Sequence, residues 1–496
     1  MSLMDTIGVG TLLLLLITSI FIYMTWNKMY KKRNLPPGPT PLPLIGNFLN
    51  IKMGELAGSL MKLRDQYGPV YTLFFCMRPV VFICGYQAVK EALVDHAEIF
   101  GIRGRVPSID KFTQGYGIGF ANGERWKQMR QFSFKTLREF GLGKKSTELK
   151  IQEEAQNLVN EIKTINGLPI DPSKLIMGAV SRVFCFIIFG NQFEYEDEKL
   201  TNIFSFAKEI ARLMGTPWAQ LEDTLPEVMK YILGPHKKII DVSEELVECI
   251  KKRVEINQAT LDPNCPRDYI DCFLIKMEQE KHNPNTEFTM RNLLISVHNL
   301  VLGATDSVGI TLRHAFLILL TYPDVQAKLH EEIDQVIGRN RLPLLSDRSQ
   351  MPYTEAVINE VQRFADISPL NGTHSVTKDV QFRGYTIPKG TDVYPLLCTV
   401  HRDPSQFSTP YQFNPKHFLD ENGKFKKNDA MMAFSAGKRR CPGEGLALIE
   451  LFLFFTIILQ NFTLTSEKKF TEDEIAPKFT GFVNHPICFQ LSFIPR

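Results

Sequence analysis

Along most of the chain apolar residues recur at three- and four-residue spacing, the signature of helices with one buried face. The pattern predicts helices over 148–165, 243–257, 290–322, 323–337, 353–364 and 443–460. Short runs of β-branched and aromatic residues predict strands at Val70–Phe75, 80–84, 380–387 and 391–395. These runs are too short and too few for a main sheet, so the fold class is mainly α with small β-sheets. Loops are predicted at 262–267 (D-P-N-C-P-R) and 282–286 (H-N-P-N-T). Residues 214–234 also read as loop-like; with Trp218 and several apolar neighbours they either dip into a membrane or pack on the body.

One stretch breaks the amphipathic pattern. From Thr6 to Asn27 there is no charge, and the centre is almost wholly apolar. About 20 such residues at 1.5 Å each cross a bilayer core. Asp5 precedes the stretch, while Lys28, Lys31, Lys32 and Arg33 follow it. Basic residues after the span keep that side in the cytoplasm. A cleaved signal peptide would carry its basic residues first and a small-x-small site afterwards, and neither is present. Residues 1–27 are therefore expected to be a transmembrane signal anchor, and 28–50 a basic, proline-rich hinge. The hinge holds five prolines in Leu35-Pro-Pro-Gly-Pro-Thr-Pro-Leu-Pro43, which favour a stiff polyproline-type arm. The body, 51–496, has no repeat, low-complexity block or second linker.

Composition narrows the classes. The 496 residues are 44% hydrophobic and 22% charged, enough for a large core and unlike a disordered or fibrous chain. A net charge of +3 gives no field for nucleic acid. The nine cysteines form no CxxC pair, which fits a reducing compartment with one or two thiols in use.

One thiol stands out. Phe434-Ser-Ala-Gly-Lys-Arg-Arg-Cys-Pro-Gly443 leads into the apolar helix at 444–460. Cys441 is expected to cap that helix, with Pro442 at its first position, and a helix N-terminus favours thiolate over thiol. The turn by itself fits either a soft metal ligand or a buried structural cysteine. The ten residues, however, match the haem-thiolate loop F-x-x-G-x-R-x-C-x-G of the cytochromes P-450 at every fixed position. The chain resembles that family through most of its length: P-P-G-P, Trp126-x-x-x-Arg130, Glu360-x-x-Arg363 and Phe413-x-Pro415-x-x-Phe418 follow in the family's order. The anchor and Asn122-Gly-Glu-Arg-Trp-Lys127 resemble the vertebrate microsomal (family 2-like) members that oxidise drugs, steroids and fatty acids.

The resemblance implies a cytochrome P-450 fold behind a transmembrane helix, with haem b held by Cys441 as axial thiolate. It implies that Trp126, Arg130, Arg103, His374 and Arg439 meet the haem propionates. Glu360 and Arg363, one helical turn apart, can pair, with His417 as third member of a buried network. Within 290–322, Leu302-Gly-Ala-Thr-Asp-Ser307 resembles the oxygen-handling A-G-x-(E/D)-T, with Asp306 as the acid and Ser307 as the alcohol that relay protons. Two departures stand there: Ser replaces Thr, and Gly303-Ala304 reverses the usual Ala-Gly order. Phe120, Leu300, Val301, Gly303, Ala304, Leu370 and Phe482 fall where the family lines its pocket, implying a hydrophobic substrate.

The chain has no dinucleotide or flavin fingerprint, so electrons must come from a partner. By resemblance that partner is an NADPH-dependent flavoprotein reductase, with cytochrome b5 beside it. Arg125, Lys127, Lys135, Arg138, Lys144, Lys145, Lys438 and Arg440 form either its docking face or a solvated charged face. The function implied is a monooxygenase on the endoplasmic reticulum membrane, catalytic domain in the cytoplasm, hydroxylating or epoxidising xenobiotics, fatty acids or steroids. A reductase-independent isomerase or peroxygenase and a non-catalytic haem-binding sensor are the alternatives. Asn371 and Asn461 match the glycosylation pattern, but a cytosolic body leaves both unmodified.

Overall fold

The computed structural model describes residues 3–31, 34–43, 45–52, 54–140, 145–190, 198–478 and 483–496. The helices that bear on the site are α1 (Leu3–Lys31), α2 (Pro107–Thr113), α3 (Gly123–Phe140), α4 (Lys145–Thr164), α5 (Pro217–Thr224), α6 (Lys238–Ala259), α7 (Met290–Thr305), α8 (Ser307–Thr321), α9 (Pro352–Ala365) and α10 (Glu444–Asn461). Strands β1 (Val70–Phe75), β2 (Arg78–Cys84), β3 (Ile102–Arg103), β4 (His374–Ser375) and β7 (Asp392–Leu396) make a five-stranded sheet in the order β1-β2-β7-β4-β3. Two further pairs, β5 (Val380–Phe382) with β6 (Tyr385–Ile387) and β8 (Phe462–Thr465) with β9 (Ser492–Pro495), complete the small sheets.

The main core is helical. α10 is buried on every side, with Phe452, Leu453, Phe454, Ile457 and Ile458 fully enclosed, as expected of a helix without a polar face. α4, α8 and α9 pack around it. A second cluster lies under the sheet and includes Leu93, Phe100 and Met432, next to the cysteine loop.

Three expectations change. The helix expected over 290–322 is two: Asp306, at φ −108 and ψ −28, separates α7 from α8. Hydroxyls explain the break, for Thr305, Ser307 and Thr311 each donate to the carbonyl four residues earlier (Val301, 2.6 Å; Gly303, 3.0 Å; Ser307, 2.8 Å). Such back-bonding competes with the ladder and bends a helix. Residues 214–234 are not a loop but contain α5 and a short helix, Pro226–Met229, each begun by a proline whose missing N–H costs a first turn nothing. Residues 380–387 form a hairpin, with Arg383 and Gly384 turning at φ 51 and φ 87.

The proline run is docked on the body. Thr72 N of β1 donates to Pro37 O at 2.8 Å. Asn47 accepts from Phe74 N at 2.7 Å and donates to Pro39 O at 3.0 Å. A Cβ on Gly38 would stand 2.0 Å from Thr72 O, so the arm can lie this close only with glycine there. α1 presents Leu12–Ile17, Ile20 and Phe21 outward, and Trp26 at its end donates to Pro41 O at 3.1 Å.

Candidate functional site

Cys441 does not cap α10 as the sequence suggested: the cap is Gly443, and the helix begins at Glu444. A turn through Pro442 and Gly443 intervenes, and it lets two backbone N–H groups face the sulfur. Burial raises the thiol, while the N–H groups of Gly443 and Glu444 and the charge of Arg130 pull it down and Glu444 opposes them. The net shift is upward, so the free thiol is protonated, whereas a bound metal would displace that proton. The preceding loop is tight: Cys441 N donates to Phe434 O at 2.9 Å. Gly437 has φ 66, and a Cβ there would sit 1.8 Å from Leu93 O.

Three cations gather near this sulfur, and among the described residues none of Arg103, Arg130 and Arg439 pairs with a carboxylate. Arg439 is buried; its guanidinium stacks 3.8 Å over the Trp126 ring and donates only to neutral groups, Gly101 O, Ala121 O and Asn122 Oδ1. Burial and the neighbouring Arg103 and Arg130 press it down to about 8. Arg103 is pressed down to about 10 by burial and Arg130. Arg130 donates to Arg440 O at 2.6 Å. Trp126 Nε1 is sealed and has no hydrogen-bond partner among the described residues. Three crowded guanidinium groups and an orphaned indole N–H fit a buried dianionic group, the chemistry of the two haem propionates.

His374 stands in the same cradle, within reach of the charges of Arg103 and Arg439. β3 and β4 put it opposite Arg103. Its Nδ1 donates to Phe100 O at 2.6 Å, leaving Nε2 to accept from Arg103 Nη1 at 3.3 Å. It therefore orients Arg103. Gly372 makes room for that guanidinium, since a Cβ would lie 2.5 Å from Nη1.

Glu360, Arg363 and His417 come together. Arg363 is fully buried and donates to both Glu360 oxygens (2.7 and 2.6 Å) and to the carbonyls of His401, Pro410 and Gln412 (2.8, 2.7 and 2.8 Å). Glu360 also accepts from Asn414 N at 2.7 Å and from His417 Nδ1 at 3.2 Å. α9 is thus tied to the chain that leads into the cysteine loop.

On α7, Gly303 is exposed, with nothing within 4 Å of a Cβ, so the helix there faces open space. Ser307 lies one turn on, its hydroxyl bonded to Gly303 O. Asp306 stands to the side: one carboxylate oxygen is sealed without a partner, burial raises the acid, and Lys208 and Arg313 lower it. Ala304 and Phe120 are half-buried. Val301 is a correction: on the far side of α7 from Gly303, it is fully buried in the helical core, with Leu300 nearly so. Leu370 packs among Leu73, Val80 and Leu396 of the sheet. Phe482 and Lys144 lie outside the described residues.

Sequence reasoning missed Asn292 and Asn299. Asn292 Oδ1 accepts from Gly117 N at 3.1 Å, and Asn299 Oδ1 accepts from Ile118 N and Gly119 N at 3.1 and 3.0 Å. Together they strap 117–119 to α7, and the same strap gives Gly119 O to Arg103 and Ala121 O to Arg439. Two amides seven residues apart in an apolar helix, facing a Gly-x-Gly, were the available signal. The basic face is interleaved with acids: Arg125 pairs with Glu287, Lys127 with Glu124, Lys135 with Glu139, Lys438 with Glu98 and Arg440 with Glu444.

Known proteins are similar to this chain in sequence. A family model described as Cytochrome P450 matches residues 36–493. Cytochrome P450 2G1 of Rattus norvegicus is 49% identical over 97% of this chain and 98% of its own length. Cytochrome P450 2F2 of Mus musculus is 49% identical over 98% of this chain and 99% of its own. Cytochrome P450 2A6 of Homo sapiens is 48% identical over 98% of each.

Proposed function

From its membership of the cytochrome P450 family, whose members are haem-thiolate monooxygenases that use haem b and an external redox partner, we propose that this chain hydroxylates or epoxidises apolar molecules at a haem held by Cys441. The observation that carries the reading is the set Arg103, Arg130 and Arg439, paired with no carboxylate among the described residues, with the orphaned Trp126 N–H, near the one cysteine of the loop. Those groups would hold the propionates, and His374 and Asn299 would keep two of them in place. The Leu12–Phe21 face of α1 supports a membrane anchor, and the docked proline run supports a body held close to that membrane. We place the body on the cytoplasmic side of the endoplasmic reticulum; Asn371 is buried and so closed to glycosylation. Electrons would come from an NADPH-dependent flavoprotein reductase, with cytochrome b5 as a second donor.

The haem, when bound, supplies activation of dioxygen and transfer of one oxygen atom, the other leaving as water. The chain's residues do the rest. Cys441 would hold the haem iron through the sulfur, which the N–H groups of Gly443 and Glu444 steady. Arg103, Arg130 and Arg439 would hold the haem's two carboxylates. Asp306, raised by burial, would pass a proton towards Ser307 Oγ, at the start of α8 and one turn beyond the exposed Gly303. Apolar Leu302 and Phe120 limit the water that competes with substrate.

The experiment is reductase-supported turnover of a panel of apolar probes, with product, NADPH and peroxide measured together. Product that requires both reductase and NADPH is expected; product formed without them would overturn the reading. The serine sharpens the test. Ser307 lacks the methyl that restricts a threonine's rotamer, so Ser307→Thr is expected to lower the peroxide released per product. Equal coupling in the two proteins would show that the departure has no consequence.

A further inference from the structure

Beyond the Glu360–Arg363 pair the chain holds a second buried polar junction, at His401. It is the last residue of a short helix, Leu397–His401, and is fully enclosed. Three groups converge on it. Arg363 Nη1 of α9 donates to its carbonyl at 2.8 Å. Its ring Nδ1 stands 2.9 Å from Oδ1 of Asp366, the left-handed residue (φ 45) that caps the end of α9. Its Nε2 accepts from the backbone N–H of Met432 at 3.2 Å.

These contacts fix the tautomer of the ring. Met432 N can only donate, so Nε2 is the bare nitrogen and Nδ1 carries the proton, donated to Asp366. The other oxygen of Asp366 accepts from Arg402 Nη1 at 2.9 Å, so its charge is met there and a neutral imidazole suffices.

Met432 opens the cysteine loop. It is buried with Leu93 and Phe100 in the cluster under the sheet. Its carbonyl accepts from Ser435 N at 2.8 Å, and Phe434 O then accepts from Cys441 N at 2.9 Å. Ser435 and Gly437 lie at φ 63 and φ 66, so the backbone turns sharply between these bonds. The segment from Met432 to Cys441 is therefore pinned at its first residue by a side chain that α9 holds from two sides. We propose that His401 is a positioning residue for the thiolate: as the Nδ1–H tautomer it carries the rigidity of α9 to Met432, and so keeps Cys441 on the haem iron. The inference rests on the haem-thiolate reading given above.

A buried N–H that loses its acceptor is costly, and it recovers one by moving until water reaches it. Two amides separate the two ring nitrogens. Asparagine places its amide where Nδ1 stands and serves only Asp366. Glutamine reaches the place of Nε2 and serves only Met432.

The test uses the reduced, carbon-monoxide-bound holoprotein in urea below its unfolding transition. There a strongly red-shifted Soret band reports the thiolate ligand, and its decay to a shorter-wavelength band reports loss of that ligand. His401→Asn is expected to convert about tenfold faster than wild type, the factor that about 1.4 kcal/mol gives. His401→Gln should stay within about threefold of wild type, although it gives up the bond to Asp366. Equal rates in the two variants, or the faster rate in glutamine, would overturn the proposal, since packing alone does not distinguish the nitrogens. Should either variant fail to take up haem, amide exchange at Met432 of the wild-type holoprotein carries the test. Protection matching the core of α10 is expected, and exchange as fast as an exposed loop would overturn the proposal. A wild type without the red-shifted band would overturn the haem-thiolate reading itself, so the two failures are distinct.

Discussion

Arg363→Met is expected to remove a large part of the protein's stability. Arg363 makes five hydrogen bonds, two to Glu360 and three to carbonyls between His401 and Gln412, and both members of the pair are fully buried. The methionine leaves the buried Glu360 without its arginine, with only Asn414 N and His417 beside it, and takes the donor from three carbonyls. Breaking a buried pair from one side costs about 3–5 kcal/mol, against a total of about 5–15 kcal/mol for a folded domain. The urea midpoint of the holoprotein should fall sharply, with haem lost in the same transition, because the network secures the approach to the cysteine loop. Glu360→Gln added to Arg363→Met should recover part of the loss by removing the stranded charge. A midpoint equal to wild type would mean that the network does not hold the loop.

Asp306→Asn should separate activity from stability. The carboxyl sits at the break between α7 and α8, with one oxygen sealed and unpartnered. Burial raises it above the ordinary value, and Lys208 and Arg313 compensate only in part. The folded protein thus holds this proton more tightly than the unfolded chain does. Stability from this group is full at low pH and is lost as pH rises through the raised value. The amide suffers no such loss, so the variant should match wild type near pH 4 and exceed it in unfolding midpoint at pH 7. Turnover should fall by about 10²-fold or more, the usual contribution of a positioned acid, with substrate affinity unchanged. A variant with wild-type turnover would remove Asp306 from proton delivery.

Much of the fold was legible because it follows from periodicity. Helix 443–460 was expected within a residue of where α10 lies, since a segment apolar on every side has few alternatives to burial. The break at Asp306 was less accessible. Three hydroxyls bonding backwards decide it, and apolar spacing on both sides continues in phase, so period alone reads one helix. Residues 214–234 differ for another reason: Pro217 and Pro226 each begin a short helix there, which apolar spacing over so few residues does not reveal.

At the site, the legible part was the local motif around Cys441, together with the pairs Trp126–Arg130 and Glu360–Arg363. The illegible part was long-range. Nothing in the sequence near Gly117 announces that Asn299, some 180 residues later, accepts its neighbours' N–H groups. Val301 was misjudged because adjacency to Gly303 in sequence places it on the opposite face of the helix. His374 was expected beside the ligand; that the β3–β4 pairing also sets it against Arg103 is a long-range contact that the sequence around it does not announce.

The central claim is that Cys441 holds a haem as thiolate. Its most direct test is the absorption spectrum of the reduced, carbon-monoxide-bound protein, recorded for wild type and for Cys441→Ala. The expected result is a strongly red-shifted Soret band in wild type that is absent from the variant. A wild-type spectrum typical of histidine-ligated haem, or the same red-shifted band in both proteins, would contradict it.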